Sequence, residues 1–286
     1  MAAPLLKSTC YDLEATLESG QAFRWRQVGD TWEGIIHGSI VRVSNEEGLG
    51  IRILDCSPNL PLDRLQTYFQ SQLPLIDYLD QLPQDPYMQK AIQACQGLHI
   101  LRQDPWETLV SFLMSTNKQI PHIKIILNKL CQRFGSPIDH NSDGEHSPFS
   151  FPSAERIAEA SIAELRDCRM GYRATYLSDT AKKVVNEKIQ LQTLQNLNYT
   201  EAKKQLTAFA GVGEKVANCV LLFAYDFQEA FPVDVWIARV LRKEYFNGRP
   251  VSIKTLQTFA DEYFQPYPGY AQQYLFHYIR KTNQAR

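Results

Sequence analysis

Near residue 60 the apolar pattern of the chain changes period. Before that point, short runs alternate apolar and polar residues. "AFRWRQ", "TWEGIIHG", "SIVRVS" and "LGIRIL" follow one another closely, separated by Gly-Asp, Gly-Ser and "NEEG" turns. Alternation puts one face of each strand against a core, and turns this short join neighbours, so the pattern predicts an antiparallel meander. Beyond that point, as in "LDRLQTYFQSQL", apolar residues recur at helical spacing. Strands that run together and are then followed by helices define an α+β chain, not a parallel α/β one. The expected division is an antiparallel β-sheet domain with flanking helices over residues 1–100 and an all-α domain over residues 101–286.

Helix signals then follow in succession. "DPWETLVSFLMSTNKQ" opens with Asp104 as N-cap, Pro105 in the first helical position and Glu107 three residues after the cap. "IPHIKIILNKLCQRFG" carries Ile123, Ile126, Leu127 and Leu130 on one stripe and stops at Gly135. Residues 136–152 read as a polar, proline-containing loop. "SAERIAEA", a Ser161–Glu164 capping box, "ATYLSDTAKKVV" and the amphipathic "YAQQYLFHYIRKTN" complete the series, with no internal repeat.

Composition narrows the class. The 286 residues are 44% hydrophobic and 21% charged, as in an ordinary globular protein. No apolar run reaches the length of a membrane span, and the N-terminal apolar stretch is too short for a secretory signal, so an intracellular protein is expected. The compartment would be nucleus in a eukaryote and cytoplasm or nucleoid in a bacterium. Six scattered cysteines without a Cys-x-x-Cys pair lack the spacing of a zinc site or an iron–sulfur cluster and read as free thiols. Net charge is −1, unevenly spread: residues 1–100 hold 7 Lys and Arg against 12 Asp and Glu, residues 101–286 hold 23 against 19. That balance permits a basic face in the second part.

The stretch "GVGEKVANC" raises a chemical question. "TEAKKQLTAF" and "EKVANCVLLFAY" read as two helices joined by "AGVG". Helix–hairpin–helix units bind DNA without sequence preference: glycines such as Gly211 and Gly213 admit close approach, and helix N-terminal amides meet phosphate. Lys215 falls in the first turn of the second helix, where the macrodipole is positive and a lysine stabilises poorly. A solvated or phosphate-contacting lysine is the plain reading. Three features point further. The helix N-terminus favours the neutral amine that a nucleophile needs. Cys219, four residues on, shares its face. And "FPVDVWIARVL" follows, where Asp234 caps a new helix after Pro232. Asp234 reads as an N-cap alone, or as a cap that also stays ionised, steers the amine and stabilises a developing cation.

These features together resemble the helix–hairpin–helix DNA glycosylases with lyase activity, and more closely the eukaryotic-type 8-oxoguanine DNA glycosylases. The resemblance spans roughly residues 10–282 and is strongest in "SGQAFRW" (19–25), "QDPWETLVSFLMSTN" (103–117), "GYRATYL" (171–177), "GVGEKVANCVLLFAYD" (211–226), "PVDVW" (232–236) and "YAQQYLF" (270–276). It implies a bifunctional enzyme acting on double-stranded DNA that contains 8-oxoguanine or related oxidised purines. A flipped nucleotide enters a pocket, Lys215 attacks the sugar C1′, the base leaves, a Schiff base forms, and β-elimination nicks the strand. Asp234 positions the amine. No cofactor is needed for catalysis, and the protein is expected to act as a monomer away from membranes.

Further roles follow from the same resemblance. The Gly20 carbonyl would accept from the protonated N7 of the lesion, Cys219 and Phe276 would sandwich the base, and Gln272 would bond its Watson–Crick edge. Asn117 would fill the vacated space, Tyr172 would wedge the opposite strand, and Arg173 would read the orphaned cytosine. Backbone carbonyls of Thr207, Phe209 and Val212 would hold a structural monovalent cation, K or Na. Three positions depart from the pattern. Ala210 stands where proline is usual, His122 where a second arginine contacts the cytosine, and Trp236 where a histidine stands near the lesion's 5′ phosphate. Histidine cannot make a bidentate fork, which predicts weaker discrimination for cytosine. Two alternatives remain at this stage: a monofunctional glycosylase for alkylated bases, and a non-catalytic helix–hairpin–helix DNA-binding protein.

Overall fold

The computed structural model describes residues 3–56, 60–138 and 148–284. Five strands, β1 (Leu5–Lys7), β2 (Arg26–Val28), β3 (Thr31–Ile36), β4 (Ser39–Glu46) and β5 (Gly50–Cys56), form one antiparallel sheet in the order β1-β5-β4-β3-β2. The consecutive β2–β5 make the meander that the alternation predicts, and β1 adds to its far edge with Leu6 opposite Ile51. Three residues are too few to show a period, so β1 leaves no signal in the sequence. Helix α1 (Leu13–Glu18) precedes β2, and α2 (Leu62–Phe69) follows β5. Trp25, Trp32, Val41, Val43, Ile51 and Ile53 pack with Leu65, Tyr68 and Phe69 of α2 into one buried cluster. The Trp25 indole N–H donates to the Tyr68 hydroxyl at 2.8 Å, satisfying the polar atom that burial would otherwise orphan.

The "AFRWRQ" segment differs from its expected strand: pairing begins only at Arg26. Ala22, Phe23 and Trp25 are all buried, with Phe23 in the helical core and Trp25 in the sheet core. The segment therefore crosses between two cores and cannot alternate across one sheet. The helix expected over "LDRLQTYFQSQL" ends early, at Phe69, because Gln70 takes a left-handed conformation with φ 52°.

The rest is helical, in keeping with the α+β class. In order come α3 (Leu75–Leu79), α4 (Pro86–Ala94), α5 (Pro105–Ser115), α6 (Ile120–Phe134), α7 (Ala154–Glu159), α8 (Ile162–Leu165) and α9 (Arg173–Asn186). Then follow α10 (Tyr199–Thr207), α11 (Glu214–Tyr225), α12 (Val235–Val240), α13 (Ile253–Tyr263) and α14 (Pro268–Gln284). Caps fix the starts: Asp104 accepts from the Glu107 N–H at 2.8 Å, and Ser161 and Glu164 make the reciprocal capping box. The Glu107 side chain goes elsewhere, to an ion pair of 3.2 Å with Arg24 that ties α5 to the crossing segment. Buried faces of α4, α5, α6, α9, α11 and α14 form the larger core. Of the loop 136–152, residues 139–147 lie outside the described residues; its ends close in a neck, with Ile138 N–H to Pro148 O and Ser150 N–H to Ser136 O both at 2.8 Å. Among the described residues, no helix is long and apolar enough to cross a membrane, and no three His, Cys, Asp or Glu residues group as a metal site.

Candidate active site

A cavity of about 420 Å³ opens at the edge of the helical core, between α5, α6, α11, α12, α14 and the turn after α1. That is within the usual span for small-molecule pockets, about 300–1,000 Å³. Lys215, Asp234, Gly20, Cys219, Gln272, Phe276 and Trp236 all line it. These seven come from segments up to 256 residues apart in the chain (Gly20 to Phe276), so only folding joins them.

Lys215 stands in the first turn of α11, which Gly213 caps in extended conformation. Its amine donates to the Ser115 hydroxyl at 2.9 Å and lies 5.3 Å from the centroid of the Phe112 ring. The Ser115 hydroxyl in turn donates to the Phe112 carbonyl at 2.7 Å. The lysine is therefore half-buried against α5 and directed into the cavity. A lysine's amine at a helix N-terminus is poorly placed for helix stability but well placed for attack on something bound there.

Asp234 is the N-cap of α12, accepting from the Ile237 N–H at 2.8 Å. The cap fixes its position but does not alone set its charge. Burial pushes the carboxyl above its ordinary range, while the Ile237 N–H, the Lys215 charge, the Trp236 N–H and the Arg280 charge pull it back. Desolvation and cationic neighbours thus oppose each other at one group.

The walls are apolar with a few polar points. Cys219 is buried, and burial raises its thiol to about 11 despite the Lys215 charge, so it presents a neutral sulfur. The Gln272 side chain is 4% exposed, and its carboxamide oxygen has no hydrogen-bond partner. A buried acceptor left open costs free energy unless something bound there satisfies it.

Gly20 has a backbone φ of +80°, and a Cβ there would come within 2.9 Å of Ile120 Cδ1 and 3.1 Å of Phe276 Cε1. The positive φ is what favours glycine here; the contacts are with the ends of side chains that can give way. The neighbours of Gly20 are pinned. The buried Gln21 side chain donates to the Thr16 and His99 carbonyls at 2.9 and 2.8 Å and accepts the Leu101 N–H at 2.7 Å. Gln273 of α14 donates to the Ser19 carbonyl at 3.2 Å. Ser115 and Gln273 lie within stretches that carry the resemblance, yet neither they nor Arg280 has a role implied by it; each is recognisable as a site residue only once a distant segment has folded against it.

The remaining sequence-predicted residues do not line the cavity. Asn117 is exposed in the short α5–α6 connection, with φ 53°, and His122 is exposed in the first turn of α6. Tyr172 is 54% exposed at the start of α9, edge-on to Tyr176 with centroids 5.7 Å apart. Arg173 is buried instead of displayed. It donates to the Thr116 carbonyl, its guanidinium lies 4.5 Å from the Tyr172 ring centroid, and its Nε has no partner. Trp236, which does line the cavity, is half-exposed beneath the Arg239 guanidinium at 5.2 Å.

In the hairpin, a Cβ on Gly211 (φ +77°) would strike the Tyr176 ring, while Gly213 has open space around it. Gly211 therefore serves packing, and Gly213 leaves room for an approaching backbone. The Phe209 carbonyl accepts the Val212 N–H at 3.2 Å, and the Lys183 amine sits on the neighbouring Ala208 carbonyl at 3.1 Å. Thr207 is the last residue of α10, and Phe209 and Val212 are buried.

Known proteins match the chain over nearly its whole length. Residues 5–109 match the N-terminal domain of 8-oxoguanine DNA glycosylase, and residues 110–263 match the HhH-GPD superfamily of base excision DNA repair proteins. The chain is 30% identical over 317 residues to an N-glycosylase/DNA lyase of Saccharomyces cerevisiae, covering 92% of this chain and 82% of that one. A solved structure of MBOgg1 with a low-affinity DNA ligand is 34% identical, with a TM-score of 0.91 over 97% of this chain and 95% of that one. The Clostridium acetobutylicum 8-oxoguanine glycosylase/lyase, solved with double-stranded DNA containing cytosine opposite 8-oxoG, is 31% identical, with a TM-score of 0.89 over 96% and 93%. The chain belongs to the HhH-GPD superfamily of base excision DNA repair proteins and, within it, to the 8-oxoguanine DNA glycosylase family.

Proposed function

We propose that this protein is a bifunctional DNA glycosylase and abasic-site lyase that removes 8-oxoguanine and related oxidised purines from duplex DNA. One observation carries the reading: Lys215 and Asp234 line one cavity together with Gly20, Cys219, Gln272 and Phe276. The names of the yeast and clostridial relatives support it. A flipped base enters between Cys219 and Phe276, with its Watson–Crick edge on Gln272 and its N7–H on the Gly20 carbonyl. Normal guanine has an acceptor at N7 and would be repelled by that carbonyl. The amine of Lys215 bonds to C1′ as the C1′–N9 pair leaves with the base, and Asp234 stabilises cationic character at the sugar. The C1′–O4′ bond then opens, O4′ taking a proton, to leave the Schiff base, and loss of a proton from C2′ expels the 3′ phosphate by β-elimination.

The rim handles the rest of the duplex. Asn117 fills the gap, Tyr172 wedges the opposite strand, and His122 faces the estranged base together with Arg173, once Arg173 is released from the Thr116 carbonyl. Trp236 offers an indole N–H near the lesion's 5′ phosphate. Gly211 and Gly213 bring the hairpin to the backbone. The Thr207, Phe209 and Val212 carbonyls would hold a monovalent K or Na ion. Thr207 and Phe209 lie at the C-terminal end of α10, where the dipole is negative and the Lys183 ammonium sits on the Ala208 carbonyl, and Val212 lies in the turn before α11. The protein acts as a monomer inside the cell.

Borohydride trapping on duplex DNA containing 8-oxoguanine tests the reading. The unmodified protein is expected to be captured covalently and Lys215→Gln not at all. Equal trapping of the two would remove Lys215 from the mechanism.

A further inference from the structure

Arg280 of α14 lines the cavity, yet nothing in the resemblance gives it a task. Its Nη1 donates to the Glu18 carbonyl at 3.0 Å, at the C-terminal end of α1. Its guanidinium lies 5.5 Å from the Phe276 ring centroid, and Nη1 is 3.2 Å from the point where a Gly20 Cβ would stand. It is thus held beside the two residues assigned to the base, and within electrostatic reach of Asp234. A guanidinium has five N–H donors, and among the described residues one hydrogen bond is made. Holding the end of α1 needs one donor and no cavity.

We infer that Arg280 is a further catalytic residue, a fixed cation that lies against the bound purine and stabilises the negative charge the base acquires as it leaves. The inference rests on the reading of this cavity as the lesion pocket. When the Lys215 amine bonds to C1′, the C1′–N9 electron pair passes to the purine, and the charge spreads over its ring nitrogens and exocyclic oxygens. The secondary ammonium then loses a proton, and the departing base gains one. Arg280 gives up no proton. Its charge is preorganised in a half-buried site, where it stabilises the separated charges more than the neutral ground state. Strand nicking from a preformed abasic site has no purine to expel and should not need it.

The test compares Arg280→Met, Arg280→Lys and the unmodified protein in three measurements. These are single-turnover excision of 8-oxoguanine, cleavage of a preformed abasic site, and affinity for a duplex carrying the uncleavable 2′-fluoro analogue of the lesion nucleotide. Methionine keeps the stem over Phe276 and removes the charge. Excision should fall roughly 10- to 100-fold, as on loss of one preorganised donor or somewhat less. Abasic-site cleavage and affinity should stay within about threefold, and lysine should restore most of the rate. Unchanged excision overturns the inference. So does an equal loss in both reactions, which would mean action through Asp234 or Lys215. A loss seen wholly as affinity also overturns it, since that would mean action through Gly20. If the unmodified protein leaves 8-oxoguanine in place, the lesion-pocket reading itself fails and this inference with it.

Discussion

Lys215 and Asp234 make their hydrogen bonds before any DNA arrives, and Gly20 sits between two pinned neighbours, whereas Asn117, His122 and Tyr172 stand exposed on short connections and first turns. The interior residues rest on partners already in place: Lys215 on Ser115, Asp234 on the Ile237 amide, and Gly20 between the clamped Ser19 and Gln21. The rim has the opposite character. Asn117 holds φ 53°, Arg169 just before Tyr172 holds φ 64°, and Arg173 is turned inward onto the Thr116 carbonyl. Chemistry needs groups fixed to within fractions of an ångström, so its ordering cost is met during folding. Recognition of an opened duplex needs groups that move with the DNA, so they occupy segments that cost little to rearrange.

The largest effect that could break this contrast is at Asp234. Asparagine caps a helix about as well as aspartate, so Asp234→Asn should leave unfolding free energy within about 0.5 kcal/mol. It removes the charge facing the sugar, and excision should fall roughly 100- to 1,000-fold. Denaturant melts alongside single-turnover rates check both halves. A destabilised protein with intact chemistry would reduce Asp234 to a cap.

Next in size is Gly20→Ala. The methyl would stand 2.9 Å from Ile120 Cδ1 in a backbone of φ +80°, in a turn whose neighbours cannot shift without breaking the Gln21 and Gln273 bonds. Ile120 Cδ1 can give way, but a side chain held in this backbone conformation costs about 1–3 kcal/mol, and stability and excision should fall together. If the melting curve is unchanged, the turn is more compliant than its hydrogen bonds suggest.

How much of this could be read from the chain depends on distance along it. Asp104, Ser161 and Asp234 announce their helices because a cap and its partner amide lie three residues apart. The span of α11 follows from the glycine at one end and the apolar run inside it. Ser115 could not be read in the same way, because its partner Lys215 is 100 residues away and a serine at a helix end has many ordinary uses. Gln273 and Ser19 are 254 apart, and Arg280 and Glu18 are 262 apart. The strand expected at "AFRWRQ" failed for a related reason: whether buried residues share one core or join two is a tertiary fact. Arg173 shows a further limit. Its residue type suits a base contact, but only coordinates reveal that in the free protein it is buried on a carbonyl next to Asn117.

The smallest effect probes the rim alone. His122 is exposed and half a turn into α6, so His122→Arg should leave stability within about 0.5 kcal/mol, as exposed substitutions usually do. Its consequence should appear only in the choice of opposite base. Arginine can offer a bidentate fork, where imidazole offers one donor. A gained base contact is worth about 1–3 kcal/mol, so preference for cytosine over the other three bases should sharpen by roughly tenfold. Excision rates opposite each of the four bases, measured for both proteins, give the answer directly. A strong cytosine preference already present in the unmodified protein would mean that Arg173, once released from Thr116, suffices alone. A change in rate common to all four bases would mean that the rim and the cavity are coupled, and the division between a fixed interior and an adaptable edge would not hold.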